Sequence, residues 1–446
     1  MRRLQIYLVL LVMSVFLGTE ILAVATPAAQ LTLYRLLALG VVPLVVFQLS
    51  RPNQKLMIQP NSTATLALKC YSLWWLIALS SVMWAANLSA WVQSMFLMTL
   101  GVSSIIGLYF WVQSGQQWHR LIQAIWLMMS GLVIWGYVEI TTNLYLFADV
   151  DKLDKYRTFT IQPMTRIPIT TFENQNDYAT LLLAYIVVCV IMYYLTASNW
   201  QRILYSIAFI AGSYLIFRSG SRMSLLCLLI FIAVQLLQNI RIDLRRRHYW
   251  FGLLIIAAGI TAVILLRPSL VSKVTDLFYF GERRELSGDT VRMNLWRNGG
   301  LFLGQTFGFG VGAGNIEHWM AESAFWTTNT LTNMHNWWLE ILVGYGAVSF
   351  GLYLMAYISL MVKLVRLKCT LVGRYAYVSF TLFNFMLIYI LASITSANNM
   401  LIEWHWVFFG LIISFVKIQE KAIVKPKRVK HAGVSIWQTQ LLKEKV

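Results

Sequence analysis

Charge is scarce in this sequence, and acidic charge scarcer still. Only 12% of the 446 residues are charged, with 18 Asp and Glu against 36 Lys and Arg. At 58% hydrophobic residues and a mean hydropathy of +0.64, an ordinary soluble domain is excluded. Short segments of alternating hydrophobicity are lacking, which excludes a membrane β-barrel. No internal repeat and no low-complexity segment occurs. No small-residue exit site follows the first apolar run, so that run reads as a retained helix. Cysteines number four, without metal-type Cys/His spacing; Cys70, Cys189, Cys227 and Cys369 fall in expected helices or at the expected cytoplasmic face, so no extracytoplasmic disulfide is expected.

What is present is a succession of apolar runs of about 20 residues, each long enough to cross a hydrocarbon core of about 30 Å. They lie at 4–24, 31–50, 71–88, 92–112, 119–139, 178–197, 203–217, 223–239, 249–266, 335–362, 375–396 and 400–418. The expected fold class is therefore all-α: a polytopic membrane protein of about twelve transmembrane helices with a large extracytoplasmic loop. Residues 1–418 form one helical domain, with outer loops at about 140–177 and 267–334, and 419–446 form a basic cytoplasmic tail.

Orientation follows from the basic residues. If Arg2 and Arg3 start inside, 23 of the 36 fall in cytoplasmic connections or the tail, beside only three acids, Asp243, Glu420 and Glu444. Both termini are then cytoplasmic. Most of the +18 net charge is an orientation signal, and nucleic acid is not an expected partner. The tail from Lys421 onward can meet anionic lipid headgroups. Glu20 and Arg35 should reach similar depth on neighbouring helices and form a structural ion pair. A transporter path would offer several intramembrane acids, which this chain lacks.

Chemistry concentrates in and around the outer loops. The 267–334 loop opens on an amphipathic stretch, with Leu270, Val271, Val274, Leu277 and Phe278 at helical spacing among Arg267, Lys273, Arg283 and Arg284; it should lie in the membrane interface. In FRSGSRMSLL, Arg218 and Arg222 bracket a tight turn on the outer side, against the orientation rule. Snorkelling to lipid phosphate is one explanation; an arginine fork aimed at a bound phosphate is the sharper one. In RMNLW, Arg292 and Trp296 lie one helical turn apart, suited to a diphosphate and a sugar or the interface. The run Gly308–Asn315 lacks nucleotide-loop spacing and reads as a turn back to the membrane, with backbone amides lining the site. His335 and Asn336 head the next helix, where neighbouring amide dipoles keep the imidazole neutral and usable as a base. Glu340 and Glu403 are next in line for that role. Asp149, Asp151 and Asp154 resemble a metal-holding DxD motif, and His318 with Glu322 is a weaker pair, but mixed lysines favour a solvated loop and no metal is expected.

Together these stretches resemble the O-antigen ligase and polysaccharide polymerase family of bacterial membrane glycosyltransferases. The resemblance rests on Asn174-Gln175-Asn176-Asp177-Tyr178-Ala179, on Ser221-Arg222, on Arg292 and Trp296 before the glycine turn ending at Gly314, and on His335-Asn336, in order across about residues 170–350. Met223 and Gly344 depart from the family pattern, where a small and an acidic residue are common. The resemblance implies a GT-C-like fold in the bacterial cytoplasmic membrane and an inverting, metal-independent transfer from a glycan on undecaprenyl diphosphate, with no cofactor. Arg222 and Arg292 would neutralise the diphosphate, and His335 would take the acceptor proton. Arg218, Trp296, Asn336, Asn174, Asn176 and Gly312 would line the substrate. Expected partners are the lipid-linked oligosaccharide donor, a glycan acceptor, membrane lipids, and the flippase and chain-length regulator of the same pathway. The leading expectation is a polymerase of capsular or exopolysaccharide repeat units; the alternatives are a ligase moving finished glycan to another acceptor and a flippase of lipid-linked sugar.

Overall fold

The computed structural model describes residues 2–18, 21, 23–25, 30–50, 58–147, 166–172, 174–237, 288–329, 331–394, 400 and 402–424. Glu20, Asp149, Asp151, Asp154, the apolar run 249–266, the amphipathic stretch with its four basic neighbours and the tail beyond 424 lie outside the described residues.

Each expected apolar run within the described residues carries a helix. These are α1 (Arg2–Ser14), α2 (Leu33–Leu49), α3 (Thr63–Ser80), α4 (Leu88–Trp111), α5 (Gly115–Thr142), α6 (Gln175–Leu195), α7 (Asn199–Ser219) and α8 (Arg222–Leu237). Two further helices, α9 (Gly288–Gln305) and α10 (Ile316–Ser323), fall within the long loop, and α11 (Trp337–Thr370), α12 (Arg374–Ala392) and α13 (Glu403–Val424) follow it. Of these, α3 to α6, α11 and α12 are long and apolar enough to cross a bilayer. The chain is an all-α membrane protein.

Helix starts are set by local chemistry. Ser62, Asn87, Ser114, Asn174 and Asn336 each cap the helix that follows, their side chains accepting bonds from backbone amides otherwise left unpaired. The first helix ends at Ser14, ten residues before the expected end, because the chain turns at Gly18 and forms an antiparallel ribbon, β1 (Ala23–Ala25) with β2 (Gln30–Thr32). Hydropathy averages over such a turn and does not register it.

Among the described residues, helices α3 to α8 alternate in direction, and α11 starts at the same end as α8. α4 and α13 run parallel, since Gly101 lies against Trp406 and Gly410 against Ile105 and Leu108. α3 runs opposite to α4, with Trp75 Nε1 bonded to Thr99 Oγ1 at 2.9 Å and Thr65 Oγ1 to Tyr109 OH at 2.6 Å. One end of the bundle is stitched by charge. Glu420 accepts from Thr63 N at the start of α3 (3.1 Å) and pairs with Lys363 of α11 (2.9 Å), while Lys417 donates to the Tyr109 carbonyl at the end of α4. The opposite end carries the starts of α4, α6, α8, α11 and α13. There Arg35 Nε meets Glu403 Oε1 at 2.6 Å and its Nη1 meets the Gln30 carbonyl at 2.7 Å. Arg35 thus meets a carboxylate 368 residues away in sequence; its expected pairing with Glu20 falls outside the described residues. A second small core, including Leu295, Phe302, Val311, Ile316, Met334 and Val343, fixes α9 and α10 over the start of α11.

Candidate active site

His335 occupies the residue before the cap of α11. The Asn336 side chain accepts from Trp338 N (3.1 Å) and Leu339 N (3.4 Å), so Asn336 is the cap and is itself buried. His335 is half-buried with φ of +46°, a left-handed conformation that costs a non-glycine residue on the order of 1 kcal/mol. Packing on both sides enforces it: Trp337 N donates to the Ser393 carbonyl at 3.0 Å, and the Met334 carbonyl accepts from Trp296 Nε1 at 3.2 Å.

That indole bond brings α9 to the His335 segment. Arg292 stands one turn before Trp296, about 6 Å along the helix axis. The helix is held by two asparagines that sequence reasoning missed. Asn298 Oδ1 accepts from Phe325 N and Trp326 N, both at 3.0 Å, and its Nδ2 donates to the Trp326 carbonyl at 2.8 Å. Asn294 Nδ2 donates to the Thr327 carbonyl at 2.9 Å. The signal available was an Asn pair at i, i+4 beside Arg292 and Trp296, the spacing of one helix face.

The tip between α7 and α8 comes to the same level. Cys227 Sγ lies 3.5 Å from the Ile388 carbonyl, and Asn384 Nδ2 donates to the Phe231 carbonyl at 2.9 Å, so α8 and α12 run antiparallel. Continuing that register puts Arg222 level with Ser393, the residue whose carbonyl anchors Trp337. Gly220 turns the chain with φ of +70°. Ser221 N donates to Ser219 Oγ at 3.2 Å and Ser221 Oγ to Ser224 Oγ at 3.1 Å, and the exposed Arg222 opens α8. Arg218 reaches the Arg166 carbonyl (3.1 Å) and Tyr214 OH (3.4 Å). It therefore ties the helix tip to the end of the 140–177 loop.

Asn174 and Asn176 belong to that same end. Asn174 caps α6 by accepting from Asn176 N at 2.8 Å, and the Asn176 carbonyl accepts from Thr180 Oγ1 at 2.9 Å. α6 packs antiparallel to α7, with Gly212 against Tyr185 and Ile186, which levels Asn174 with the Gly220 tip. A buried carboxylate absent from the sequence reading supports this corner. Glu139 of α5 accepts from Ile169 N at 2.8 Å and from Thr170 N at 2.9 and 3.0 Å. Its only sequence signal was a lone acid in an apolar helix.

The glycine turn is a fastening. Gly346 interrupts α11 with φ of +85°, and the turn fits into that kink. Val311 N donates to the Val343 carbonyl (2.9 Å), Gly312 N to the Gly344 carbonyl (3.0 Å), and Ala347 N to the Gly308 carbonyl (2.9 Å). Ala313 N donates to Ser81 Oγ at 3.1 Å. The amide of Gly312 is thus used inside the protein, and Gly312 packs on Ala85. Gly344, the departure from the family pattern, lies against Ile316.

Beside the His335 segment, between α4, the end of the glycine turn and the first turns of α11, is a cavity of about 330 Å³. Asn333, Met334 and Glu340 line it on the α11 side. His318 Nε2 and Glu322 Oε2 are 3.3 Å apart as an i, i+4 pair. Among the described residues no three His, Cys, Asp or Glu side chains converge as a metal site.

The geometry offers a base-capable imidazole, two helices carrying Arg222 and Arg292 at the level of its segment, and an adjoining cavity with polar and apolar walls. Such a set can neutralise an anionic leaving group and remove a proton from a hydroxyl. Residues 207–356 match the family model described as O-Antigen ligase. The matched stretch contains Arg218, Arg222, Arg292, Trp296, Gly312, His335 and Asn336, and begins after Asn174 and Asn176. The chain is also 26% identical over 429 residues to the teichuronic acid biosynthesis protein TuaE of Bacillus subtilis (strain 168), an alignment covering 94% of this chain and 85% of that protein.

Proposed function

The chain belongs to the O-antigen ligase and polysaccharide polymerase family, whose members are glycosyltransferase-like enzymes of glycan biosynthesis, and on that premise we propose that it polymerises lipid-linked repeat units. The donor is a repeat-unit glycan on undecaprenyl diphosphate, and the reaction runs on the outer face of the bacterial cytoplasmic membrane. The acceptor hydroxyl attacks the anomeric carbon from the face opposite the diphosphate. The new C–O bond forms as the bond to the diphosphate breaks, the diphosphate leaves with the electron pair, and the configuration inverts. His335 takes the hydroxyl proton. Arg222 and Arg292 hold the departing charge, so the step needs no metal.

The observation that carries this reading is the meeting of three elements at one end of the bundle. α9 reaches the His335 segment through Trp296 and Met334. The end of α12 reaches it through Ser393 and Trp337, at the level of Arg222. Arg218 and Trp296 position donor and sugar around this point, with Asn174, Asn176, Asn336 and Gly312 building the surrounding frame. The lipid-linked donor, the glycan acceptor and membrane lipids are the partners this reading requires, and the flippase and chain-length regulator of the pathway complete them.

The test is donor-lipid affinity measured beside single-turnover rate. His335→Ala should leave donor affinity nearly intact and lower turnover by about 10²–10⁴. Arg292→Ala should lose donor affinity. If His335→Ala abolishes donor binding while Arg292→Ala spares it, the roles are inverted. A ligase reading draws on the description of the matched family model, and differs only in the acceptor.

A further inference from the structure

The cavity beside His335 has the wrong electrostatics for the donor. Its lining includes Gln93 and Ser94 of α4, Glu317 and His318 of α10, and Asn333 and Glu340 at the start of α11. Among the described residues that line it there are two carboxylates and no lysine or arginine. A diphosphate would be repelled there. A hydroxyl-rich ring is the complementary guest, because each sugar hydroxyl can donate to a carboxylate or amide oxygen and accept from an amide N–H. The size agrees, since about 330 Å³ lies within the range of about 300–1,000 Å³ for small-molecule sites.

The walls are built rather than incidental. Ser94 Oγ and Tyr345 OH are 2.9 Å apart and join α4 to α11 behind the cavity. At the rim, Asn315 Oδ1 accepts from Asn87 N at 2.6 Å, binding the glycine turn to the start of α4. A side chain at Gly314 would run into the Ala90 carbonyl at 2.3 Å, so the turn and α4 are in direct contact. The 333–335 segment stands between the two environments. Asn333 and Met334 face the cavity, and the Met334 carbonyl receives Trp296 from the arginine side.

We propose that this cavity is the acceptor subsite, receiving an uncharged, hydroxyl-rich sugar ring whose attacking hydroxyl points out past Asn333 and Met334 toward His335. The inference rests on the glycosyl-transfer reading above and adds the acceptor's place and charge class to it. Gln93, Asn333 and Glu340 recognise the hydroxyls, and the acidic lining disfavours acceptor sugars that carry a carboxylate or phosphate at that position.

The experiment uses full-length protein and, as probe, the repeat-unit oligosaccharide released by mild acid from the host cell's own lipid-linked repeats. The probe serves as acceptor in a transfer assay and, separately, as ligand in saturation-transfer NMR. Gln93→Ala and Glu340→Gln should raise the acceptor KM about tenfold while donor affinity stays within about twofold. Ala90→Trp, which fills the cavity, should abolish saturation transfer to the probe. Arg292→Lys should show the opposite pattern, with donor affinity lost and probe binding kept. If the probe does not bind the wild type, or binds Ala90→Trp and Gln93→Ala as it binds the wild type, the cavity is not the acceptor subsite, whatever the fate of the polymerase reading. If the probe binds the wild type and not Ala90→Trp, yet no glycan is transferred, the subsite stands and the polymerase reading falls.

Discussion

At the start of α11 two neighbouring side chains divide the work that one helix end requires. Asn336 spends its carbonyl oxygen on Trp338 N and Leu339 N, and His335 stands just outside the helix. His335→Gln keeps polarity and size but cannot take the proton in the same way, so turnover should fall nearly as far as in His335→Ala, by about 10²–10⁴ in a single-turnover assay. Full activity of His335→Gln would make His335 a structural residue. Arg292→Lys keeps the charge and loses the planar fork, and should still lose substantial donor affinity. On the proposed arginine mechanism, activity should survive EDTA, and Asp149→Ala with Asp151→Ala should remain largely active. Loss of turnover in EDTA that Mg²⁺ or Mn²⁺ restores would contradict the arginine mechanism. Arg222 and Arg292 stood out as candidates in the sequence because charge is so rare in this chain. Asn298 and Glu139 did not, since a buried amide or carboxylate declares itself only through the backbone groups it meets, and those lie 27 to 31 residues away.

At the scale of elements, the glycine turn and the kink in α11 are two halves of one joint. A Cβ on Gly346 would sit 2.4 Å from the Phe309 carbonyl, with φ of +85° besides. Gly346→Ala should therefore push the turn off α11 and take Val311 and Gly312 from their carbonyl partners. The expected cost is about 2–4 kcal/mol, read as a lowered thermal midpoint in detergent. Gly304→Ala, where a Cβ meets nothing within 4 Å, should leave the midpoint nearly unchanged. Apolar runs marked where helices lie, and Ser or Asn before them marked several starts. What the runs could not mark were breaks made by tertiary contacts. The first helix stops at Ser14 because the chain turns at Gly18 beside Thr171, and α11 is interrupted at Gly346 by a kink into which the glycine turn fits. The Glu403 contact of Arg35 was hidden for the same reason: the two are adjacent only once α2 and α13 are packed.

For the molecule as a whole, helix direction among the described residues places much of the basic charge at one end. Lys69, Arg120, Arg202, Lys363, Arg366, Lys368, Arg374, Lys417 and Lys421 belong to the helix ends opposite the candidate active site. The rule that such residues stay in the cytoplasm predicts both termini inside and the 267–334 loop outside. Reporter fusions at Gly288 and at the C-terminus should then read opposite compartments, and matching readings would leave the site on the wrong face. The central claim is that this end of the bundle joins lipid-linked repeats to one another. It is tested most directly by incubating the purified protein with lipid-linked repeat units alone and resolving the products by size. A ladder with steps of one repeat unit, lost in His335→Ala, is the predicted result. Unextended glycan, or a single shifted band that forms only when a different acceptor is added, would contradict it.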